Sequence, residues 1–140
     1  MVKFDERAIL DNGAYIYAMR QEIEAIADAV CEKGFDNILF TASGGSLAMM
    51  QPFDYMISVM SGLDVRSQVS AELLGIGNNR LTDRTLVFMA SKSGDTKETV
   101  EAAGYVKEKG AAIISVLGVE GSPLGGLSDY TVVYKDGRPQ

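Results

Sequence analysis

Residues 85–96 read Thr-Leu-Val-Phe-Met-Ala-Ser-Lys-Ser-Gly-Asp-Thr, and this stretch decides the fold. Thr85–Ala90 is an apolar run without polar alternation, which is typical of a strand covered on both faces. A Ser/Gly loop follows, and Lys97–Lys109 is expected to form a helix that Gly110 ends. A buried strand that passes through a short loop into a helix is the repeating unit of a parallel α/β sheet.

The same arrangement occurs earlier in the chain. Asn37–Ala42 is a second apolar run, and the break at residues 43–46 reads Ser-Gly-Gly-Ser. A helical pattern then continues to about Ser61. Pro52 lies inside this pattern, so it either kinks the helix or moves the true helix start close to residue 51.

The remaining patterns complete an alternation of strands and helices. Further strands are expected at Val65–Ser70, Ala112–Leu117 and Tyr130–Tyr134, a short helix at Ala71–Gly77, and a loop at Gly118–Ser128. Strands that alternate with helices require parallel crossovers with helices on both faces of the sheet. The predicted fold is therefore a three-layer αβα domain with a five-stranded parallel sheet in the flavodoxin-like order 2-1-3-4-5.

The first 35 residues are expected to form a helical arm that precedes an α/β core at about residues 36–135. An apolar stripe recurs at helical spacing, at Ile16, Met19, Ile23, Ile26 and Val30. The stripe is interpreted as core packing or as a docking surface for the rest of the domain or for a second copy. Residues 1–140 are thus expected to form one domain.

Composition excludes several classes of chemistry. The chain has 140 residues, no histidine and one cysteine, Cys31, so it has neither a Ser-His-Asp triad nor a Cys-rich metal site. The formal charge of −6 argues against nucleic acid as a partner. The start lacks a signal peptide and no apolar run spans a membrane, so we expect a cytoplasmic protein with reduced Cys31 as a small core residue.

The two Ser/Gly loops follow strands 1 and 3, between which the predicted topology places its switch point. Ligands of doubly wound sheets bind there, beyond the carboxyl ends of the strands. Each loop leads into a helix N-terminus with free amides, and hydroxyls and one lysine add further donors, which suits an anion such as phosphate. The alternative is that the loop residues are ordinary helix caps.

At this point the sequence resembles the sugar isomerase (SIS) domain family. Leu39-Phe-Thr-Ala-Ser-Gly-Gly-Ser-Leu-Ala48 resembles the first phosphate loop of the family, and Met89-Ala-Ser-Lys-Ser-Gly-Asp-Thr-Lys-Glu-Thr99 resembles the second. The resemblance is to the first domain of two-domain phosphosugar isomerases, of fructosamine-6-phosphate deglycases and of the isomerase half of glucosamine-6-phosphate synthase. It implies a SIS fold and the binding of a sugar phosphate.

The resemblance also implies site residues. The expected phosphosugar-binding residues are Ser43, Gly44, Gly45 and Ser46 in the first loop, and Ser91, Lys92, Ser93 and Thr96 in the second. Ser70-Ala-Glu72 is similar to the Ser-Glu that follows strand 2 in the family. Glu72 is therefore a weak candidate for a catalytic residue, near the sugar or the subunit contact. No metal and no cofactor are expected.

In the two-domain relatives a second SIS domain supplies the catalytic glutamate and the ring-opening histidine. This sequence ends near the expected end of the first domain, so we expect it to provide the phosphate-holding half of an isomerase or deglycase site. The alternative is a non-catalytic module for phosphosugar sensing or interaction. The resemblance implies a homodimer or pairing with a second SIS domain. Met49, Met56 and Met60 are candidates for that contact or for the core.

Overall fold

The computed structural model of the protein describes residues 6–134. The five strands are β1 (Asn37–Ala42), β2 (Asp64–Val69), β3 (Thr85–Ser91), β4 (Ala112–Leu117) and β5 (Tyr130–Val133). The helices are α1 (Glu6–Ala18), α2 (Arg20–Lys33), α3 (Gly45–Met60), α4 (Ser70–Ile76), α5 (Lys97–Glu108) and α6 (Pro123–Leu127). The start of the predicted arm, residues 1–5, and the end of the chain, residues 135–140, lie outside the described residues.

The sheet is parallel throughout, in the order β2-β1-β3-β4-β5, and this confirms the predicted fold class. The register places the two Ser/Gly loops side by side. Thr41 of β1 pairs with Met89 of β3, so Ser43 and Ser91, each two residues further along, leave the sheet at the same level. This edge of the sheet is where ligands of doubly wound folds bind.

Both faces of the sheet are covered by helices because its central strands are apolar on both sides. One face buries strand residues against α4, α5 and α6; its fully buried members include Val87, Met89, Ile113, Leu73, Val106 and Leu124. The other face packs against α2 and α3; its members include Ile38, Phe40, Ala42, Leu86, Val30, Leu47 and Met50. Each large apolar side chain buried in this way contributes about 1.5–3 kcal/mol.

The N-terminal arm differs from the single stripe that the sequence predicts. The chain forms two helices that meet at Met19, which is 8% exposed. Tyr15 of α1 donates a hydrogen bond from its hydroxyl to the carbonyl of Val133 at 3.0 Å. Ile16 and Ile23 remain 52% and 41% exposed, whereas Met19 and Val30 are buried. Only part of the stripe is therefore core.

The prediction that Cys31 is a core residue is wrong, since Cys31 is exposed. Its neighbour Val30 is the α2 residue buried against the sheet. Consecutive helical residues point about 100° apart, so Cys31 faces away from the face on which Val30 packs. Ser70 begins α4 instead of ending β2, and several other predicted ends shift by one residue. The structure also contains α6 within the predicted loop Gly118–Ser128.

Helix α3 begins at Gly45 and continues past Pro52 to Met60, so the alternative start near residue 51 is wrong. Proline removes one backbone donor and leaves the carbonyl four residues earlier without its helical partner. Here Ala48 and Pro52 are both exposed, so water can satisfy that carbonyl. Met49, Met56 and Met60 are 54%, 49% and 79% exposed, which excludes the core as their place in this chain.

Between residues 6 and 134, none of the helices has both the length and the apolar character that crossing a lipid bilayer requires.

Candidate functional site

The first loop turns sharply from β1 into α3. Gly44 has φ +54° and ψ −130°, a conformation that only glycine adopts readily, and it forms the N-cap of α3. The first intrahelical bonds run from the amides of Leu47 and Ala48 to the carbonyl of Gly44. The amides of Gly45 and Ser46 come before that hydrogen-bonded turn, so they point out of the positive end of a 16-residue helix.

The second loop is closed by its own hydroxyls. The amide of Gly94, which has φ +71°, donates to Ser91 Oγ at 2.9 Å, and Ser91 Oγ lies 3.2 Å from Thr96 Oγ1. Thr96 is the N-cap of α5, and its carbonyl accepts the amide of Val100 at 2.9 Å. The loop therefore forms a compact turn in front of the N-terminus of α5.

A hydrogen bond joins the two halves of the site. Ser43 Oγ, at the start of the first loop, lies 3.3 Å from Thr99 Oγ1 in the first turn of α5. Thr99 is 1% exposed, so this contact is shielded from solvent on the α5 side. The N-termini of α3 and α5 thus open at the same edge of the sheet, with the first loop in contact with the first turn of α5.

The arrangement differs from simple helix capping. Neither α3 nor α5 has a hydrogen bond from its N-cap side chain to the helix. Gly44 has no side chain, and the Thr96 hydroxyl bonds to Ser91 instead of to an α5 amide. Lys92 and Ser93 are exposed at the tip of the second loop. The first-turn amides therefore remain directed at the space that the two loops border.

Glu72 lies in the first turn of α4, which follows β2 at the same edge of the sheet, and it is exposed. The residue at the start of that helix, Ser70, is fully buried and lies with its Oγ 3.3 Å from Thr41 Oγ1 of β1. This contact fixes the start of α4 beside the first loop. The carboxylate of Glu72 is thus at the correct edge for a role in the site, although the structure shows no contact between it and either loop.

Sequence reasoning did not single out two residues that shape the site. Thr99 ends the stretch that resembles the second phosphate loop, yet only the folded chain shows that it bonds to Ser43 of the first. Ser122 is 6% exposed and lies against the second loop at Gly94. The sequence gives little indication of a role for Ser122, because the residue belongs to a Gly/Ser/Pro-rich segment whose composition is typical of an ordinary loop. Among residues 6–134, no group of three or more potential metal ligands is present.

Comparison with known proteins agrees with this geometry. The family model for the SIS domain matches residues 34–139. The chain belongs to the SIS family. The match includes both Ser/Gly loops and all five strands of the sheet, and it confirms the resemblance seen in the sequence.

Individual SIS proteins are similar over most of this chain. The fructosamine deglycase FrlB of Bacillus subtilis is 32% identical over 117 residues, which are 83% of this chain and 36% of the deglycase. A glutamine–fructose-6-phosphate aminotransferase (isomerizing) of Methanococcus maripaludis is 33% identical over 133 residues, 95% of this chain and 21% of the enzyme. This SIS chain therefore spans about a third of the length of the deglycase and about a fifth of the length of the aminotransferase.

A solved structure extends the comparison of the fold. The NanR protein of Vibrio vulnificus, solved as a complex with ManNAc-6P, has a TM-score of 0.77 and 23% sequence identity. The similarity covers 96% of this chain and 50% of the NanR chain. At this identity the likeness shows that the two share the SIS fold.

Proposed function

We propose that this chain binds a phosphorylated sugar of the hexose- or amino-sugar 6-phosphate class and provides the phosphate-holding half of a phosphosugar isomerase or deglycase site. The observation that carries the proposal is the meeting of two helix N-termini at one sheet edge, joined by the hydrogen bond between Ser43 and Thr99. Relatives that act on fructosamines and on fructose 6-phosphate supply the substrate class.

The physical basis is a set of neutral donors that converge on one anion. The exposed amides at the start of α3 and α5 carry the positive ends of two helix dipoles. Serine and threonine hydroxyls of both loops can donate to phosphate oxygens, and Lys92 adds a positive charge at the rim. Such a site holds phosphate without an arginine, which is consistent with the acidic net charge of −6.

Binding the phosphate would orient the sugar for chemistry at its other end. Isomerisation and deglycation both need a group that moves a proton near C1 and C2, and anchorage of the remote phosphate lowers the entropic cost of aligning that step. Glu72 is the candidate that this chain offers at the same edge. We propose that further catalytic groups come from a second SIS domain.

The second candidate function is phosphosugar sensing without catalysis. It is favoured by the absence of histidine from all 140 residues, which leaves the chain without the usual ring-opening group. NanR, which shares the fold, was solved with ManNAc-6P. Exchange of a C1 proton of fructose 6-phosphate in deuterated water discriminates the two: an isomerase or its half-site in the assembled protein catalyses the exchange, and a sensor does not.

Pairing with a second SIS domain, in a homodimer or in another chain, belongs to the same proposal. Its support is an apolar stripe on α3 that the monomer leaves exposed, at Met49, Phe53, Met56 and Met60. Sedimentation of the wild type and of Phe53→Glu tests the homodimer, with Ile76→Glu on α4 as the control, since Ile76 is 82% exposed away from α3. If the wild type sediments as a monomer, the homodimer is excluded and pairing with a SIS domain of another chain remains as the proposal.

Calorimetric titration of fructose 6-phosphate and glucosamine 6-phosphate tests the binding proposal. Loss of a charge-assisted hydrogen bond costs about 1.5–3 kcal/mol, so Thr96→Ala should weaken binding by about 10- to 150-fold. Ser91→Ala should also weaken binding, because the Ser91 hydroxyl accepts the Gly94 amide and closes the loop. Ser58→Ala is the matched control, because its hydroxyl donates a hydrogen bond to Asp54 on the exposed side of α3, away from both loops. Equal affinities for wild type, Ser91→Ala and Thr96→Ala would place the phosphate elsewhere.

A further inference from the structure

The second phosphate loop, Ser91–Thr96, is held from behind by a segment that no part of the proposed binding chemistry uses. This segment, Gly118–Leu124, leads from the end of β4 into α6. Two backbone hydrogen bonds connect it to the loop. The amide of Gly118 donates to the carbonyl of Lys92 at 3.1 Å, and the amide of Leu124 donates to the carbonyl of Gly94 at 2.9 Å.

The contact leaves no room for a side chain at either of two glycines. A Cβ on Gly118 would lie 2.6 Å from the carbonyl oxygen of Lys92, and a Cβ on Gly94 would lie 2.1 Å from Ser122 Oγ. Gly118 is not among the glycines with positive φ in the described chain. Glycine is therefore required at position 118 by the closeness of the loop and not by the conformation of its own backbone.

Ser122 makes the second close contact. Its side chain is 94% buried, as its exposure is 6%, and its Oγ has no hydrogen-bond partner among the described residues. A buried hydroxyl without a partner is unfavourable for folding. In the described structure the Ser122 hydroxyl packs against Gly94 and fills the space behind the loop.

The segment is itself anchored to the core. Leu124 is fully buried in the cluster that includes Leu117 and Val106. The amide that donates to the Gly94 carbonyl therefore belongs to Leu124, whose side chain is packed in the core. This hydrogen bond ties the loop to the hydrophobic core. The first loop has no comparable neighbour, because a Cβ on Gly44 or Gly45 would meet nothing within 4 Å.

We propose that Gly118–Leu124 is a positioning element that holds the loop Ser91–Thr96 in the conformation that binds phosphate, with Gly118 and Ser122 as its positioning residues. The inference rests on the proposed function for its ligand. Neither residue needs to touch the sugar phosphate; each acts through Lys92 or Gly94 of the loop.

The main test compares Gly118→Ala with Gly126→Ala in the full chain. Both add one methyl group, but a Cβ on Gly126 meets nothing within 4 Å. Gly118→Ala must displace the Lys92 carbonyl. If the displaced loop loses one charge-assisted hydrogen bond to phosphate, affinity for fructose 6-phosphate should fall by about 10- to 100-fold. Gly126→Ala should retain the wild-type affinity.

Ser122→Ala provides a variant that is expected to fold. Removing a buried hydroxyl without a partner should leave the melting temperature unchanged or raise it, while the loss of the contact with Gly94 should weaken fructose 6-phosphate binding by about 3- to 10-fold. If Ser122 had a purely structural role, Ser122→Ala would lower both the melting temperature and the affinity for fructose 6-phosphate, or would lower neither. Unchanged affinity in both Ser122→Ala and a folded Gly118→Ala would overturn the proposal.

Amide hydrogen exchange in the ligand-free protein separates failure of this inference from failure of the proposed function. We expect faster exchange at residues 92–95 in Gly118→Ala than in Gly126→Ala. If the wild type binds neither fructose 6-phosphate nor glucosamine 6-phosphate, the proposed function fails, and exchange alone decides whether the segment orders the loop. Equal exchange in the two variants would overturn the positioning role whether or not the wild type binds.

Discussion

The two Ser/Gly loops are alike in sequence and position but differ in how firmly they are held. The loop Ser91–Thr96 is closed by hydrogen bonds among Ser91, Gly94 and Thr96, and the segment Gly118–Leu124 packs behind it. The loop at residues 43–46 has glycines whose Cβ positions face open space, and Ser43 makes a hydrogen bond with Thr99. The second loop is therefore the more firmly held of the two in the described structure, and the proposed function makes it the preorganised part of the site. Preorganisation reduces the entropic cost of binding.

The largest difference between the loops should appear when each left-handed glycine becomes alanine. Gly94→Ala and Gly44→Ala both introduce backbone strain of about 1–3 kcal/mol. Gly94→Ala also forces a Cβ against Ser122, and overpacking adds about 1–3 kcal/mol. Urea denaturation should therefore show a loss of about 2–6 kcal/mol for Gly94→Ala and about 1–3 kcal/mol for Gly44→Ala. Equal losses would contradict the difference in packing.

A smaller effect should come from the contact between the first loop and helix α5. Ser43 Oγ and Thr99 Oγ1 lie 3.3 Å apart, and a hydrogen bond of this kind contributes about 0.5–1.5 kcal/mol. A double-mutant cycle of Ser43→Ala and Thr99→Val in the free energy of unfolding should give a coupling of that size. A coupling indistinguishable from zero would mean that this hydrogen bond does not stabilise the packing of the first loop against α5.

The smallest effect on stability is expected at Gly45, where the substitution should raise the free energy of unfolding instead of lowering it. Gly45 begins α3 and a Cβ there would meet nothing within 4 Å, so Gly45→Ala should stabilise the protein by about 0.4–1 kcal/mol. The new methyl group would project beside the first-turn amides and should weaken binding of fructose 6-phosphate. Stabilisation with unchanged affinity would remove the first loop from the binding site.

Much of the fold was predictable because apolar runs and turn residues coincide. Asn37–Ala42 and Ala112–Leu117 have their predicted bounds, and the parallel sheet follows from the alternation with helices. The strand order was predicted as the common order of flavodoxin-like sheets. Local patterns did not locate α6, since Pro-Leu-Gly-Gly-Leu is poor in helix formers and the buried Leu124 holds it in place through tertiary contacts. Cys31 was misplaced because a residue type reports average burial and not the face of a particular helix.

In the candidate site, too, local sequence patterns indicate some features, and others depend on tertiary contacts. Ser43, Ser46, Ser91 and Thr96 stand out in the sequence because hydroxyls and glycines follow two buried strands, and the parallel sheet brings them to one edge. The support behind the second loop could not be predicted. The contact of Gly118 with Lys92 links segments 26 residues apart, and its glycine is required by a close approach that exists only in the folded chain. The binding residues themselves stay a prediction.

The most direct measurement of the central claim is an amide NMR titration of the chain with fructose 6-phosphate and, separately, with fructose. The account predicts that amides of both loops, among them Gly45, Ser46, Ser93 and Gly94, shift together along one binding curve with the phosphorylated sugar and do not shift with fructose. Shifts confined to one loop, shifts elsewhere in the chain, or the same response to both sugars would contradict it.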